Sequence, residues 1–421
     1  MNFFHLGLIV AVVFWILFHF LYPTMWKQTI GPMSLGTEAP VYPFLDMHGR
    51  LAAHEAWSTG FDVIYNPNPL DPLGRQSVKP SWGLKISSLG MFRDQLAVAS
   101  SIAIFGALIC MLSVLRVRSI GEGIYAFLLI ASPALMLSFE RANDDLVYFS
   151  FLGLIPLLLR DSEKPKAYLF WLCWFVIFML APAKYYPGAA FAIFLVSPPK
   201  PGLFWQLFFA GLIFVGVVLG FYWNEINYLR SAVPSPSFFM VNGLPVWLRH
   251  LELPGFVRVM ASALIAFMVL AGVSTMWRQV LFEKISISSK RCYVLGLSIY
   301  LFCYLLNSNY DYRFVFLIFL IPALFELTQA MKDRHQWKRM LYTLLICLCV
   351  LLWVDVLGYH FVKNWVSEPL QVPVVEQVTL FKNLTLFFLI LPLSWIFGCF
   401  IGPGIFYVFG LERFRELPSK N

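Results

Sequence analysis

Apolar stretches long enough to cross a bilayer as helices recur along almost the whole chain, and no other feature constrains the fold as strongly. A bilayer core takes about 20 apolar residues of helix. Such runs fall at about 3–22, 95–115, 122–139, 146–159, 167–182, 186–197, 203–223, 257–277, 292–306, 314–330, 340–361 and 380–409. The longest segment between them is 23–93, followed by 224–256, and most of the others are short. Of the 421 residues, 59% are hydrophobic and 13% charged, whereas a soluble domain carries about 25% charged residues. That deficit excludes a water-soluble surface, and the hydrophobicity excludes a disordered chain. The expectation is an all-α polytopic membrane protein of about twelve transmembrane helices. It forms a single integral-membrane domain over residues 1–421 with one large first extracytoplasmic loop at 23–93.

Two runs depart from simple spans. The one at 186–197 is caught between Pro187 and Pro198-Pro199 and reads as a span or as a broken or re-entrant segment. The one at 380–409 is long enough to tilt, or to kink at Pro392 and Pro403. The first run lacks a basic flank and a small-residue cleavage site before Tyr22-Pro23, so it reads as an uncleaved anchor. Absence of an internal repeat argues against an inverted-repeat transporter.

The net charge of 31 − 23 = +8 comes without any Lys/Arg block, which excludes a nucleic-acid partner and leaves topology as its meaning. With the N-terminus inside, 17 basic residues fall in mostly short inner loops and 14 fall on the other side, six of those within the long 23–93 loop. Long loops are discounted in this comparison, so both termini are expected to be cytoplasmic. The seven cysteines all lie in apolar runs with no CxxC pair, which fits small core residues rather than disulfides or zinc. P-loop, GxGxxG, HExxH and GxSxG motifs are absent, removing support for nucleotide hydrolysis, dinucleotide redox and nucleophile-elbow chemistry.

With this orientation the polar clusters that topology does not explain share the outer face: Asp46–Glu55, Glu140–Asp145, Lys184–Tyr186, Asn224–Arg230 and Asn307–Arg313. Five clusters on one face point to a single extracytoplasmic site. Residues 44–60 read as a short amphipathic helix ending near Gly60, with Asp46, Arg50 and His54 on one stripe. That stripe is either a solvated ion-paired face or a carboxylate held at the membrane surface to take a proton from an incoming hydroxyl. The following stretch carries Tyr65 and three prolines in six residues (Pro67, Pro69, Pro72), a rigid path without regular structure. In Glu140-Arg141-Ala142-Asn143-Asp144-Asp145, Asn143 or Asp144 can cap the following helix, but four charges at a membrane rim also demand partners or a polar cavity. Lys184, before Tyr185-Tyr186-Pro187, either snorkels or binds a phosphate. In Asn309-Tyr310-Asp311-Tyr312-Arg313, Arg313 either pairs with Asp311 or serves as a second phosphate ligand. Asp355, inside the eleventh run, reads as glue between helices.

Three of these patches, in this order and on this side, resemble the GT-C class of integral-membrane glycosyltransferases, and in particular glycosyltransferase family 87, the polyprenyl-phosphate-mannose-dependent mannosyltransferases. They are Asp46 with its juxtamembrane helix, Gly60 and Tyr65; the patch from Glu140 to Asp144; and Lys184 followed by Pro187 before a short span. Ala142 stands where that family often has Gly. The resemblance implies an inverting transfer of mannose or another hexose from a polyprenyl-phosphate donor to a lipid or glycan acceptor, on the outer face of a bacterial inner membrane. Asp46 would be the catalytic base, and Lys184, Arg141 and Arg313 would hold the donor phosphate. Arg50, His54, Tyr65, Glu140, Asn143, Asp144, Tyr185, Tyr186, Tyr310 and Asp311 would contact substrates. No cofactor is expected, and since Asp46-Met47-His48 is not an acidic metal motif, no metal either. A lipid-linked-sugar flippase, an O-antigen polymerase or ligase, and a non-catalytic membrane scaffold remain as alternatives.

Overall fold

The computed structural model describes residues 44–159, 165–232, 241–275, 280–306, 309–331 and 333–411. The anchor at 3–22 lies outside them. Almost everything described is helical: α1 (Leu45–Ser58), α2 (Ser81–Ser87), α3 (Leu96–Leu115), α4 (Ile120–Ile130), α5 (Pro133–Arg141), α6 (Asp144–Leu158), α7 (Ala167–Leu180), α8 (Pro201–Phe221), α9 (Trp223–Ala232), α10 (Leu244–His250), α11 (Gly255–Thr275), α12 (Ile287–Leu306), α13 (Ile321–Ala330), α14 (His335–Trp365) and α15 (Glu368–Val408). Two ten-residue segments, Tyr186–Leu195 and Asp311–Leu320, are wound as 3-10 helix. Strands β1 (Val241–Asn242) and β2 (Asn309–Tyr310) pair antiparallel, Val241 opposite Tyr310 and Asn242 opposite Asn309.

The chain is an integral-membrane protein: among the described residues six helices are long and apolar enough to span a bilayer, or seven if the α4–α5 pair, bent by 52°, is one crossing. Each apolar run after the first coincides with a helical element, but several are too short or too polar to count as spans alone. α4 and α5 break at Ala131-Ser132 because Pro133 occupies the first turn of α5 and cannot continue the preceding ladder. The 186–197 run became a 3-10 segment opened by Pro187. α15, by contrast, runs as one helix past Pro373, Pro392 and Pro403.

Burial separates lipid-facing helices from the interior. α8 and α11 are each 17% buried over their apolar windows, whereas the crossing that starts at Asp311 is 83% buried. α12 is covered nearly all round, with Tyr293, Tyr300 and Tyr304 inside. α11 and α15 cross backbone to backbone. A Cβ on Gly272 would collide with the Trp395 carbonyl, and one on Gly398 with that of Val269, so small residues set this approach.

Helix α1 is packed into the protein: Leu51, Ala52, Ala53 and Ala56 are all buried. Phe44, left-handed at φ 54, opens α1 and donates its N–H to the Glu140 carbonyl at 3.1 Å. That bond fixes the start of α1, and therefore Asp46, against the end of α5.

Candidate functional site

The α5–α6 junction is the local structure on which the site is built. Ala142 ends α5 in the left-handed region (φ 42, ψ 50), and the Asn143 N–H reaches back to the Ser138 carbonyl at 2.9 Å. Asn143 then caps α6, its Oδ1 accepting from the Asp145 N–H at 2.8 Å. Its other side-chain atom, Nδ2, donates to Asp46 Oδ2 at 2.6 Å. One residue thus performs both roles that the sequence left open: it caps a helix and it holds the candidate base.

Around this junction lie two groups of charges. In the first, Asp46 Oδ1 faces Arg141 at 3.6 Å and Arg75 at 3.8 Å, too far for hydrogen bonds, and Arg75 is itself clamped to Asp71 at 2.9 Å and to the Leu45 carbonyl at 3.0 Å. In the second, Asp144 contacts Lys79, Lys184 (2.8 Å) and Arg50 (3.7 Å), and Asp145 contacts Lys184, the Tyr186 hydroxyl and Arg313 (3.6 Å). Lys79 also donates to the Tyr148 hydroxyl at 3.2 Å. The two acids of this second group have no exposed side-chain surface, while Lys184, Arg313 and Arg50 keep 13%, 13% and 16% of theirs. Carboxylates lie behind and cations in front, so the accessible wall is positive.

Burial raises the Asp46 carboxyl, but Arg141, Arg50, the Asn143 hydrogen bond and Arg75 together outweigh it and hold the group below its ordinary range. Asp46 is therefore ionised at neutral pH. Burial lowers the Lys184 ammonium to about 8, with Asp145 opposing and Arg313 and Arg50 adding to the fall. Lys79 is lowered by burial and then by Arg50 and Lys184, against Asp145.

Of the residues singled out from sequence, Asp46, Arg50, Arg141, Asn143, Asp144, Lys184, Tyr186 and Arg313 come together here. Tyr185 is 43% exposed beside Tyr186 at the edge, and Glu140 is buried next to the junction. The others lie elsewhere. His54 Nδ1 is 3.0 Å from the Met91 carbonyl and its ring stacks on Phe92. Tyr65 is exposed against Tyr228. Asp311 does not pair with Arg313; it binds Lys382 at 2.7 Å in a separate interior cluster with Asp355. Tyr310 is described through its backbone in β2.

Lys79, Arg75 and Tyr148 are site residues that sequence reasoning missed. A lysine flanked by proline in a loop carries no periodicity to mark it as 2% exposed and paired. Among the described residues no three His, Cys, Asp or Glu side chains gather as a metal site requires. No protein-family model, no curated protein and no solved structure matches this chain.

Proposed function

We propose that this protein is an inverting membrane glycosyltransferase that moves mannose or another hexose from a polyprenyl-phosphate donor to a lipid or glycan acceptor at the extracytoplasmic face. The observation that carries the reading is the pairing through Asn143: an ionised carboxylate, Asp46, with 10% of its side chain exposed, fixed beside a group of cations. Asp46 Oδ2 is held by Asn143, while Oδ1 faces Arg141 at 3.6 Å and Arg75 at 3.8 Å and is the oxygen assigned to take a proton from an acceptor hydroxyl. The depressed basicity of Asp46 suits a late proton transfer, when the attacking oxygen has become strongly acidic. Asp144 and Asp145 are poor rivals for this role, being sealed and already bound by several cations. Lys184, Arg50 and Arg313 stabilise the charge that develops on the leaving phosphate. The accompanying topology is twelve spans with both termini cytoplasmic, in a bacterial inner membrane.

The test is transfer from a polyprenyl-phosphate hexose by the purified full-length chain. Asp46→Asn keeps shape and the Asn143 contact, so expression persists and transfer falls by about 10²–10⁴. Retained transfer in that variant removes Asp46 as base, and absence of transfer in the wild type across hexose donors removes the reading itself. Cysteines placed at Leu70 and Ser286 should be labelled from outside and from inside respectively; the reverse result overturns the orientation.

A further inference from the structure

The two charge groups are not equally balanced. Asp46 and Asp71 pair with Arg75 and Arg141, two charges of each sign, with Arg50 of the second group also acting on Asp46. Asp144 and Asp145 face Arg50, Lys79, Lys184 and Arg313, four positive charges on two negative. Arg50 Nε and Arg313 Nε are buried, stand 3.7 and 3.6 Å from their carboxylates, and make no hydrogen bond there, although Arg313 also donates to Asn309 through Nη1. Removing charge from water is costly unless it is matched. Burial is the first cause of the lowering of both lysines, and neighbouring cations add to it: Arg50 and Lys184 at Lys79, Arg313 and Arg50 at Lys184.

Resting on the glycosyltransferase reading, we propose that this group of four cations on two carboxylates selects the dianionic monoester phosphate of a prenyl chain over the monoanionic phosphodiester of the sugar donor. In the transfer, the acceptor oxygen forms a bond to the anomeric carbon as the carbon–oxygen bond to phosphate breaks. The electron pair of that bond goes to the phosphate oxygen, raising its charge from −1 to −2, and the acceptor proton goes to Asp46. The charge thus leaves the balanced group and arrives at the cation-rich one. Interactions that strengthen as charge develops accelerate the step, and they also make the released prenyl phosphate a tight product.

Calorimetric titration of the full-length protein in detergent with farnesyl phosphate and with its methyl phosphodiester, at pH 7.5, tests this. The monoester's second ionisation lies near pH 6, so it is a dianion there. It should bind about tenfold more tightly, the effect of one more charge met by cations. Lys79→Gln should bring the two affinities to within about threefold, largely by weakening the monoester; Arg50→Gln provides the same comparison if Lys79→Gln does not fold. Equal affinities in the wild type, or a preference unchanged in both variants, overturn the proposal and leave the transferase reading standing. Binding of neither compound overturns both.

Discussion

Two clusters of buried charge in this protein are built on opposite principles. The cluster around Asp144 and Asp145, the rim cluster, has more cations than acids and leaves three of its four cations partly exposed. The interior cluster has two carboxylates, Asp311 and Asp355, on one ammonium, Lys382, and its side chains are at most 6% exposed. Apart from Asp355 Oδ1, its polar atoms are met from within the fold: Asn242 donates to Asp311 at 3.1 Å, Tyr300 donates to Asn242 at 3.1 Å, and Asn383 ties β1 to α15. The interior cluster joins α14, α15 and the β1–β2 pair, and nothing in it faces outward. Exposure and sign, rather than the number of charges, separate the site from the strut.

The largest effect expected from that contrast is on the strut. Lys382→Met strands two carboxylates, and breaking a buried pair from one side costs about 3–5 kcal/mol. Thermal unfolding in detergent should show that loss, whereas Asp355→Asn, which removes the surplus negative charge and keeps the side-chain shape, should cost much less. A Lys382→Met protein as stable as the wild type would mean that the interior cluster is not a structural tie.

The rim cluster should respond to pH instead. Asp46, held low, stays ionised across the working range, so no acid limb is expected from it above about pH 4. Lys184, at about 8, loses its charge as pH rises through that value. Transfer should then fall by about tenfold per unit above the break. Stability moves the other way: a lysine whose folded value is depressed carries its penalty below about 8, and the penalty is relieved as pH rises toward the unfolded value. Activity falling while stability rises over one window is a pattern that alkaline unfolding does not produce. Lys184→Arg should carry the break out of range, because a guanidinium keeps its proton. Conversely, an alkaline limb unmoved by Lys184→Arg assigns it to another group. Lys184 is not simply a snorkelling lysine. It bridges two sealed acids, and Lys184→Met would therefore disturb folding as well as binding.

Helices were legible because apolar runs of the right length have few other fates, and Asn143 was legible as a cap because its residue type and its place before an apolar run define one. Partners were not, since they depend on which helices cross. Asp311 and Arg313 are two residues apart yet serve different clusters, as the 3-10 winding sends them to different neighbours. Lys79 gave no signal from its loop. Lys382 did give one: a lysine inside the 380–409 run is expensive in a bilayer and implies a buried partner, and Asp355 was one of the few carboxylates inside another run. Arg291, counted among the loop cations, is in fact buried in α12 and donates to the Leu159 carbonyl. Placing a residue within a few positions of a span boundary does not settle whether its side chain is in water.

The smallest effect concerns Ala142, the position where the resembled family often has Gly. Its left-handed backbone and 0% exposure explain both residues. A left-handed conformation costs an L-residue about 1–2 kcal/mol, which Ala142→Gly would recover. Against this, glycine gives the unfolded chain about 0.4–1 kcal/mol more entropy to lose, and the buried methyl is worth about 0.8 kcal/mol. The three contributions cancel to within about 1 kcal/mol, so Ala142→Gly should unfold at nearly the wild-type temperature and keep transfer. Ala142→Val should not: a β-branched residue is an outlier in this region, and its extra carbons have no space, at about 1–3 kcal/mol for overpacking alone. Because this junction positions both Asn143 and Asp145, Ala142→Val should lose transfer more steeply than stability. If valine is accepted as readily as glycine, the left-handed turn does not set the geometry that holds Asp46 beside the cations.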